Sequence, residues 1–228
     1  MATNLNALMD DAQARAQNFQ PPAAVANGHT SVAVAGHKPT LNDFLDNAGM
    51  VVAHFLQVRT EGLRFEQDWK GLIDDFEAEI DMTEITPLYS ATAANGSNYR
   101  FIKSYDGAVS SDGEPWPLAV QKLVEFSDKG QAKPYPTAEI PMTLTKEVKE
   151  PKGGTRAYPV GTRIGLTPSM TGFKAFQQFA LGLRAAGQAN DVIRVKVKHA
   201  KRVKPGNEWG VAEFELLEVV ESRAAGNA

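Results

Sequence analysis

Cysteine is missing from this chain of 228 residues, so the fold contains no disulfide bond and no thiolate metal site. Long apolar runs are missing too, and no stretch approaches the roughly 20 residues that a membrane-spanning helix needs. The first twenty residues lack a basic start, and Asp10 and Asp11 interrupt any apolar stretch of the signal-peptide type. These absences predict a cytoplasmic protein that does not bind membranes.

The motifs of several enzyme classes are missing as well. The chain has no G-x-S-x-G nucleophile elbow, no P-loop and no dinucleotide fingerprint, and its histidines form no HxH or HxxxH pair. We therefore expect no catalytic residue, no bound metal and no cofactor. One enzymatic alternative stays open, a metal-dependent nuclease using the carboxylates of Asp74, Asp75, Glu77 and Glu79.

Charge is distributed unevenly along the chain, although its net value is only −3. Residues 61–84 hold nine carboxylates against two bases, whereas residues 194–204 hold six bases and no acid. The six bases are Arg194, Lys196, Lys198, Lys201, Arg202 and Lys204. Such asymmetry indicates a polyanionic partner, of which nucleic acid is the commonest.

Composition divides the chain into a globular part and two tails. Residues 1–40 are dominated by Ala, Asn, Gln, Gly and Pro, and such a segment buries too little apolar surface to offset the entropy lost on ordering. We predict a flexible N-terminal tail over residues 1–40, a single globular domain over residues 41–221 and a short C-terminal tail over residues 222–228.

Several stretches of the globular part have the alternation that is typical of strands. Phe76, Ala78 and Ile80 alternate with acidic residues, which predicts a strand with one buried face and one acidic face. The Asn95-Gly96 pair is a strong turn signal before the next strand, on which Tyr99, Phe101 and Lys103 should share one face.

Helical spacing occurs in two places. Residues 171–186 carry apolar side chains at helical intervals, with Thr171 as a plausible cap, and a shorter helix begins at Pro117. A hairpin over residues 192–220 follows the main helix. The fold class we expect is α+β and sheet-rich: a curved antiparallel sheet or a small barrel, with one main helix and a C-terminal β-hairpin.

On the first strand of the hairpin, Arg194, Lys196 and Lys198 alternate with apolar residues, so these three bases share its outer face. The charge is extended into the turn by Lys201, Arg202 and Lys204. Such a stripe predicts contacts with a phosphate backbone, and binding of this kind weakens as salt is added. Aromatic side chains beside it would supply base stacking. The candidates for that role, with two further cations, are Trp209, Tyr99, Phe101, Trp116, Lys103 and Arg100.

A second interpretation of the hairpin is that its bases only solvate an exposed face. The return strand carries three carboxylates, Glu213, Glu215 and Glu218. Carboxylates in this register can pair across the hairpin with the lysines and neutralise much of the patch. From the sequence alone, both interpretations stay open.

The stretch "LTPSMTGFKAFQQFALGLRAAGQANDVIRVKVKHAKRVKPGNEWGVAEFELLE" resembles small proteins of phage and prophage replication modules. The stretch "IKSYDGAVSSDGEPWP" has a similar character. Some of those proteins are, or are encoded beside, single-stranded-DNA-binding proteins of the OB type. The resemblance implies a curved, five-stranded OB-like barrel that binds single strands through a basic and aromatic face.

Our leading hypothesis is therefore a non-enzymatic, phage-encoded protein that binds single-stranded DNA in replication or recombination, in the cytoplasm of the host cell. Replication or recombination proteins would be further partners, and self-association is left open. The alternative is a phage structural or host-inhibiting protein, DNA mimics included, whose acidic strand and N-terminal tail make protein contacts.

Overall fold

The structure, a computed structural model, describes residues 50–96 and 98–223. The N-terminal tail predicted over residues 1–40 lies outside the described residues, as do residues 41–49 of the predicted domain. Of the predicted C-terminal tail, residues 224–228 also lie outside them.

Twelve strands and two α-helices occur in the described part of the chain, with one short 3-10 turn at Met82–Glu84. The strands are β1 (His54–Phe55), β2 (Gln57–Arg59), β3 (Gly62–Arg64), β4 (Asp75–Asp81), β5 (Thr86–Asn95), β6 (Asn98–Ser104), β7 (Lys133–Leu144), β8 (Val148–Lys149), β9 (Ala157–Tyr158), β10 (Arg163–Leu166), β11 (Val192–Lys204) and β12 (Asn207–Glu221). The helices are α1 (Trp116–Phe126) and α2 (Met170–Ala185).

Eight of the strands form one open, mixed sheet. Its main path runs β1-β10-β7-β4-β11-β12, while β5 pairs with β7 and β6 pairs with β5. Only the β1–β10 pair is parallel; the other pairs of this sheet are antiparallel. The sheet-rich α+β class is confirmed. The sheet does not close on itself, so an OB-like barrel is not confirmed.

Strand β7 joins the two halves of this sheet. Its C-terminal half pairs with β10 on one side and β4 on the other, and its N-terminal half pairs with β5. The 3-10 turn at Met82–Glu84 therefore interrupts what is otherwise one line of strand, β4 followed by β5, along one edge of β7. On the other side of that line, β11 pairs with β4 and β6 pairs with β5. Strands β11 and β6 therefore belong to different halves of the sheet.

The main core lies on the inner face of β4, β7 and β11, where apolar side chains alternate with outward polar ones. Phe76 and Ile80 on β4 are buried as predicted, and Val195 on β11 lies beside them. Helix α2 covers this face through Phe176, whose ring meets Phe214 of β12 at 5.1 Å between centroids. The helix confirms the main helix of the prediction, with one difference at its start.

That difference is the residue that caps α2. Ser169, rather than Thr171, precedes the first turn, and its hydroxyl accepts a hydrogen bond from the backbone N–H of Gly172. The predicted cap, Thr171, is therefore wrong by two positions, and serine serves the role as well as threonine does.

A second, smaller core lies under α1 at the other half of the sheet. Trp116 and Leu123 of this helix bury themselves against Ala91 and Ala93 of β5. Small residues on β5 let the helix approach the sheet closely. Helix α1 thereby closes one face of the β5–β6 hairpin and leaves the opposite face uncovered by this helix.

Candidate nucleic-acid interface

The basic strand β11 lies between two acidic strands, β4 and β12. Arg194 donates a hydrogen bond to Glu79 of β4 at 2.8 Å and also contacts Glu218 of β12. Lys196 lies 3.1 Å from Asp75 of β4. We call this outer face, with its acidic, basic and acidic strands, the charge ladder. Its members are Asp75, Glu77 and Glu79 on β4, Arg194, Lys196 and Lys198 on β11, and Glu213, Glu215 and Glu218 on β12.

These contacts hold the bases firmly in their charged form. The hydrogen bond that Arg194 donates to Glu79 raises the pKa of Arg194, and the hydrogen bond that Lys198 donates to Glu215 raises the pKa of Lys198. Further along the strand, hydrogen bonds with Glu208 and Glu61 raise the pKa of Lys201 to about 12. Every one of these shifts comes from a carboxylate that neutralises the base it stabilises.

The charge ladder is therefore a face of net negative charge and does not suit the binding of a polyanion. Three bases stand among six carboxylates on the three strands, and the cross-hairpin pairing that the sequence left open is present. The carboxylates of β4 on the other side of β11 were not expected from the sequence, because β4 and β11 are far apart in the chain. We accordingly leave Arg194, Lys196, Lys198 and Lys201 out of the candidate interface.

The same pairing accounts for the acidic strand that suggested a nuclease. Glu77 lies 2.6 Å from Lys146, while Asp75 and Glu79 are paired with β11 as described above. Within residues 50–96 and 98–223, no group of three or more His, Cys, Asp or Glu side chains has an arrangement suited to a metal ion. Nothing in the geometry of Asp74 or its neighbours supports a two-metal site.

Two further candidates of the sequence analysis are engaged inside the fold. Trp116 is only 8% exposed, because it begins α1 and packs into the second core, so a base has no access to its ring. Lys103 donates a hydrogen bond to Glu139 at 2.5 Å, and Glu139 is almost completely buried. We remove Trp116 from the candidate interface, and we treat Lys103 as a structural partner of Glu139.

Glu139 is the centre of a small buried network. Its carboxylate also accepts hydrogen bonds from the hydroxyl of Tyr105 at 3.1 Å and from the backbone N–H of Met50 at 2.8 Å. Burial, with the charge of Glu139, raises the pKa of Tyr105 to about 12. The network ties β6 and the segment at Met50 to the middle of β7.

The aromatic side chains of β6 have a different environment. Tyr99 is 79% exposed and Phe101 is 60% exposed, and both are on the face opposite α1. Their neighbours Arg100 and Ile102 point the other way, since Arg100 lies over the Phe126 ring of α1 at 4.2 Å and Ile102 packs in the second core. Tyr99 and Phe101 therefore share one exposed face of β6.

A cation completes this exposed face. Phe101 is directly opposite Thr92 on β5, and Thr92 is directly opposite Lys133 on β7. Side chains in register across adjacent strands share a face, so an exposed ring and an exposed lysine flank one threonine. We call Tyr99, Phe101, Thr92 and Lys133 the aromatic platform. Sequence analysis missed Lys133, because the prolines of "KPYP" are typical of turns, whereas this segment is the start of β7.

The remaining candidates lie near the turn of the β11–β12 hairpin. Arg202 contacts Glu213, and the ammonium of Lys204 lies 5.9 Å from the centre of the Trp209 ring, a cation–π arrangement. Trp209 is partly exposed, between α2 and β2. The hairpin turn therefore keeps an aromatic ring and a cation together.

Comparisons with protein-family models, with curated proteins and with solved structures gave no match for this chain. Among the described helices, neither is long and apolar enough to cross a lipid bilayer. The aromatic platform and the Trp209 region are the candidate surfaces at which an aromatic ring and a cation lie together.

Proposed function

We propose that the protein binds single-stranded DNA, without catalysing a reaction on it, through the aromatic platform on β6, β5 and β7. The observation that carries the proposal is the exposure of Tyr99 and Phe101, 79% and 60%, at alternate positions of one strand. Large aromatic side chains rarely stay this exposed in neighbouring positions unless they contact a partner.

The spacing of the two rings suits stacked bases. Alternate residues of an antiparallel strand are about 6.8 Å apart, so the two rings follow one another along the strand on the same face. Sheet modules that bind single strands use aromatic side chains in this way, one ring for each splayed base. A duplex keeps its base faces stacked inside, so the platform favours single strands.

The charges near the platform suit the phosphates of such a strand. Lys133 stands across Thr92 from Phe101, and it provides a cation at the side of the stacking surface. A lysine in this position binds phosphate without reading sequence. The expected binding is therefore tolerant of sequence and weaker at high salt.

The proposal keeps the binding mode of OB-type proteins, a curved sheet face with aromatics and cations, without requiring a closed barrel. A role in phage replication or recombination, in the host cytoplasm and with proteins of those processes as partners, rests on the sequence resemblance. The DNA contact rests on the platform alone, so the two parts of the proposal are tested separately.

The direct test is fluorescence anisotropy of a labelled oligothymidylate titrated with the full chain at two salt concentrations. Tyr99→Ala and Phe101→Ala should each weaken binding by about 5- to 150-fold, the equivalent of about 1–3 kcal/mol for one stacked base. Phe55→Ala is the matched control, since Phe55 is 48% exposed on β1 and is not part of the platform.

Circular dichroism would verify that each variant is folded, and exposed rings should be removable at little cost in stability. A length-matched duplex should compete poorly with the labelled strand. The proposal fails if the wild-type chain does not bind at low salt, or if both platform variants bind as well as the Phe55→Ala control.

A further inference from the structure

Trp209 lies between two grooves at the turn end of the β11–β12 hairpin. One groove, of about 560 Å³, is bounded by α2 and the start of β12. The other, of about 550 Å³, is bounded by β2, the start of α2 and the hairpin turn. Both are lined by Trp209 and by Thr171, so a ligand on either side meets the indole ring. We call the two grooves together the Trp209 cleft.

Cations from three elements line this cleft. Lys174 of α2 and Arg202 of β11 line the first groove, and Arg59 of β2 and Lys204 of β11 line the second. Among the described residues, Glu213 is the only carboxylate that lines either groove, and it contacts Arg202. For Arg59, Lys174 and Lys204, no ion pair is formed with a carboxylate of residues 50–96 or 98–223. The lining thus carries a net positive charge, in contrast to the charge ladder.

The ring of Trp209, rather than its nitrogen, is the part that is open to a ligand. The Nε1 atom is buried and makes no hydrogen bond with any other group in the described part of the chain, whereas the residue as a whole is half-buried and lines both grooves. The start of α2 adds a favourable field, because the N-terminus of a helix attracts negative charge.

We propose that the Trp209 cleft binds a nucleotide unit, with the base against the Trp209 ring and the phosphate between the cations of α2, β2 and β11. The requirements on the ligand are a flat aromatic base and a phosphate. A free nucleotide and a nucleotide within a strand share this chemistry. The site belongs to a different half of the sheet from the aromatic platform, and the proposal is independent of it.

The test uses the intrinsic tryptophan emission of the full chain. Of its three tryptophans, Trp69 is 5% exposed and Trp116 is 8% exposed, so a ligand that stacks on an accessible indole reports on Trp209. The chain is titrated at low salt with thymidine 5′-monophosphate in one arm and with a short oligothymidylate in the other. Stacking of thymine should quench the emission, and Trp209→Phe should abolish the quenching.

Removal of the cations should weaken the same signal. Lys174→Gln combined with Lys204→Gln should raise the half-saturating concentration about tenfold or more, since two charge-assisted contacts are lost. Lys129→Gln is the matched control, an exposed lysine outside the cleft. Circular dichroism of each variant would confirm that the fold is retained.

The two arms separate the sources of the ligand. Quenching by the monophosphate assigns the cleft to free nucleotides, and quenching by the oligonucleotide alone assigns it to a segment of a strand. The absence of quenching in both arms overturns the proposal, as does quenching that persists in Trp209→Phe. The Tyr99→Ala, Phe101→Ala double variant should keep the quenching by the monophosphate, so a failure of the platform is distinguishable from a failure of the cleft.

Discussion

Arg194 of β11 donates a hydrogen bond to Glu79 of β4 at 2.8 Å, although 115 positions separate the two residues in the chain. The same guanidinium contacts Glu218 on the opposite neighbour, β12. The part of β11 that pairs with β4 is therefore compensated from both sides. Positive charge that can contact a polyanion is found at Lys133 and in the Trp209 cleft, which includes the turn end of β11.

The first prediction concerns the bases of the charge ladder. Lys196→Gln and Lys198→Gln should change the affinity for single-stranded DNA by less than about twofold, because both lysines are already paired with carboxylates. Lys133→Gln should weaken binding at every sequence and lower the slope of log affinity against log salt by about one. Anisotropy titrations over a series of salt concentrations measure both. If Lys196→Gln lost as much affinity for single-stranded DNA as Phe101→Ala, the basic strand would be part of the interface after all.

The second prediction concerns the stability of the charge ladder. Lys198→Glu should lower the melting temperature, because Glu215 then faces a like charge across the hairpin. Combining it with Glu215→Lys should recover part of the loss, and the recovery should shrink at high salt. The control is the same exchange at Lys149 and Glu147, an exposed pair that should leave the melting temperature unchanged. An additive double variant would contradict the pairing.

The third prediction concerns the buried carboxylate of Glu139. Glu139→Ala should lower the free energy of unfolding by about 3 kcal/mol, because Lys103 and Tyr105 lose their shared acceptor in a largely buried setting. Denaturant unfolding measures the change. Glu114→Ala is the control: it breaks the exposed pair with Lys122 and should cost less than about 1 kcal/mol. Equal losses in the two variants would mean that burial of Glu139 has no energetic importance.

The fourth prediction is a pH dependence that originates at Tyr105. Its pKa rises from 10.0 to about 12, first through burial and then through the charge of Glu139. The folded state thus holds the phenol proton more tightly than the unfolded state. The contribution to stability is complete below pH 10 and is lost as the pH rises towards 12. Melting temperatures of the wild-type chain should fall more steeply over this range than those of Tyr105→Phe, and parallel curves would refute the assignment.

The fifth prediction compares two glycines. A Cβ atom at Gly210 of β12 would overlap the carbonyl oxygen of Arg59, so Gly210→Ala should push β2 away and lower stability. Gly182 of α2 has no neighbour within 4 Å of such a Cβ, and Gly182→Ala should raise the free energy of unfolding by about 0.5–1 kcal/mol. Chemical denaturation gives both values. Only Gly210→Ala should also change the emission of Trp209, its neighbour in the chain.

Local patterns in the sequence were sufficient for most of the secondary structure. Alternation placed β4 and both strands of the hairpin, and helical spacing placed α2 over Met170–Ala185. These patterns depend on which face of one element is buried, and that is encoded by neighbouring residues. The exposure of Tyr99 and Phe101 on one face of β6 was predictable for the same reason.

The candidate site was less predictable, because it depends on which strands become neighbours. The carboxylates of the return strand, Glu213, Glu215 and Glu218, indicated pairing across the hairpin, but nothing local indicated that β4 would cover the other side of β11. The Trp209 cleft likewise requires β2, α2 and the hairpin turn to meet. Lys133 and Phe101 lie on the same face only because of the register of three strands. The residues around Lys133 therefore did not predict its place beside the aromatic rings.

The outer edge of β12 affects whether copies of the chain can associate through their sheets. Within the described residues, no strand pairs with this edge, and such an edge is a template on which identical chains can add to one another. Here the strand carries Glu213, Glu215, Glu218 and Glu221. A second copy aligned along it would bring carboxylates against carboxylates. The carboxylates of β12 therefore have a second effect besides pairing with β11: they oppose edge-to-edge association between copies of the chain.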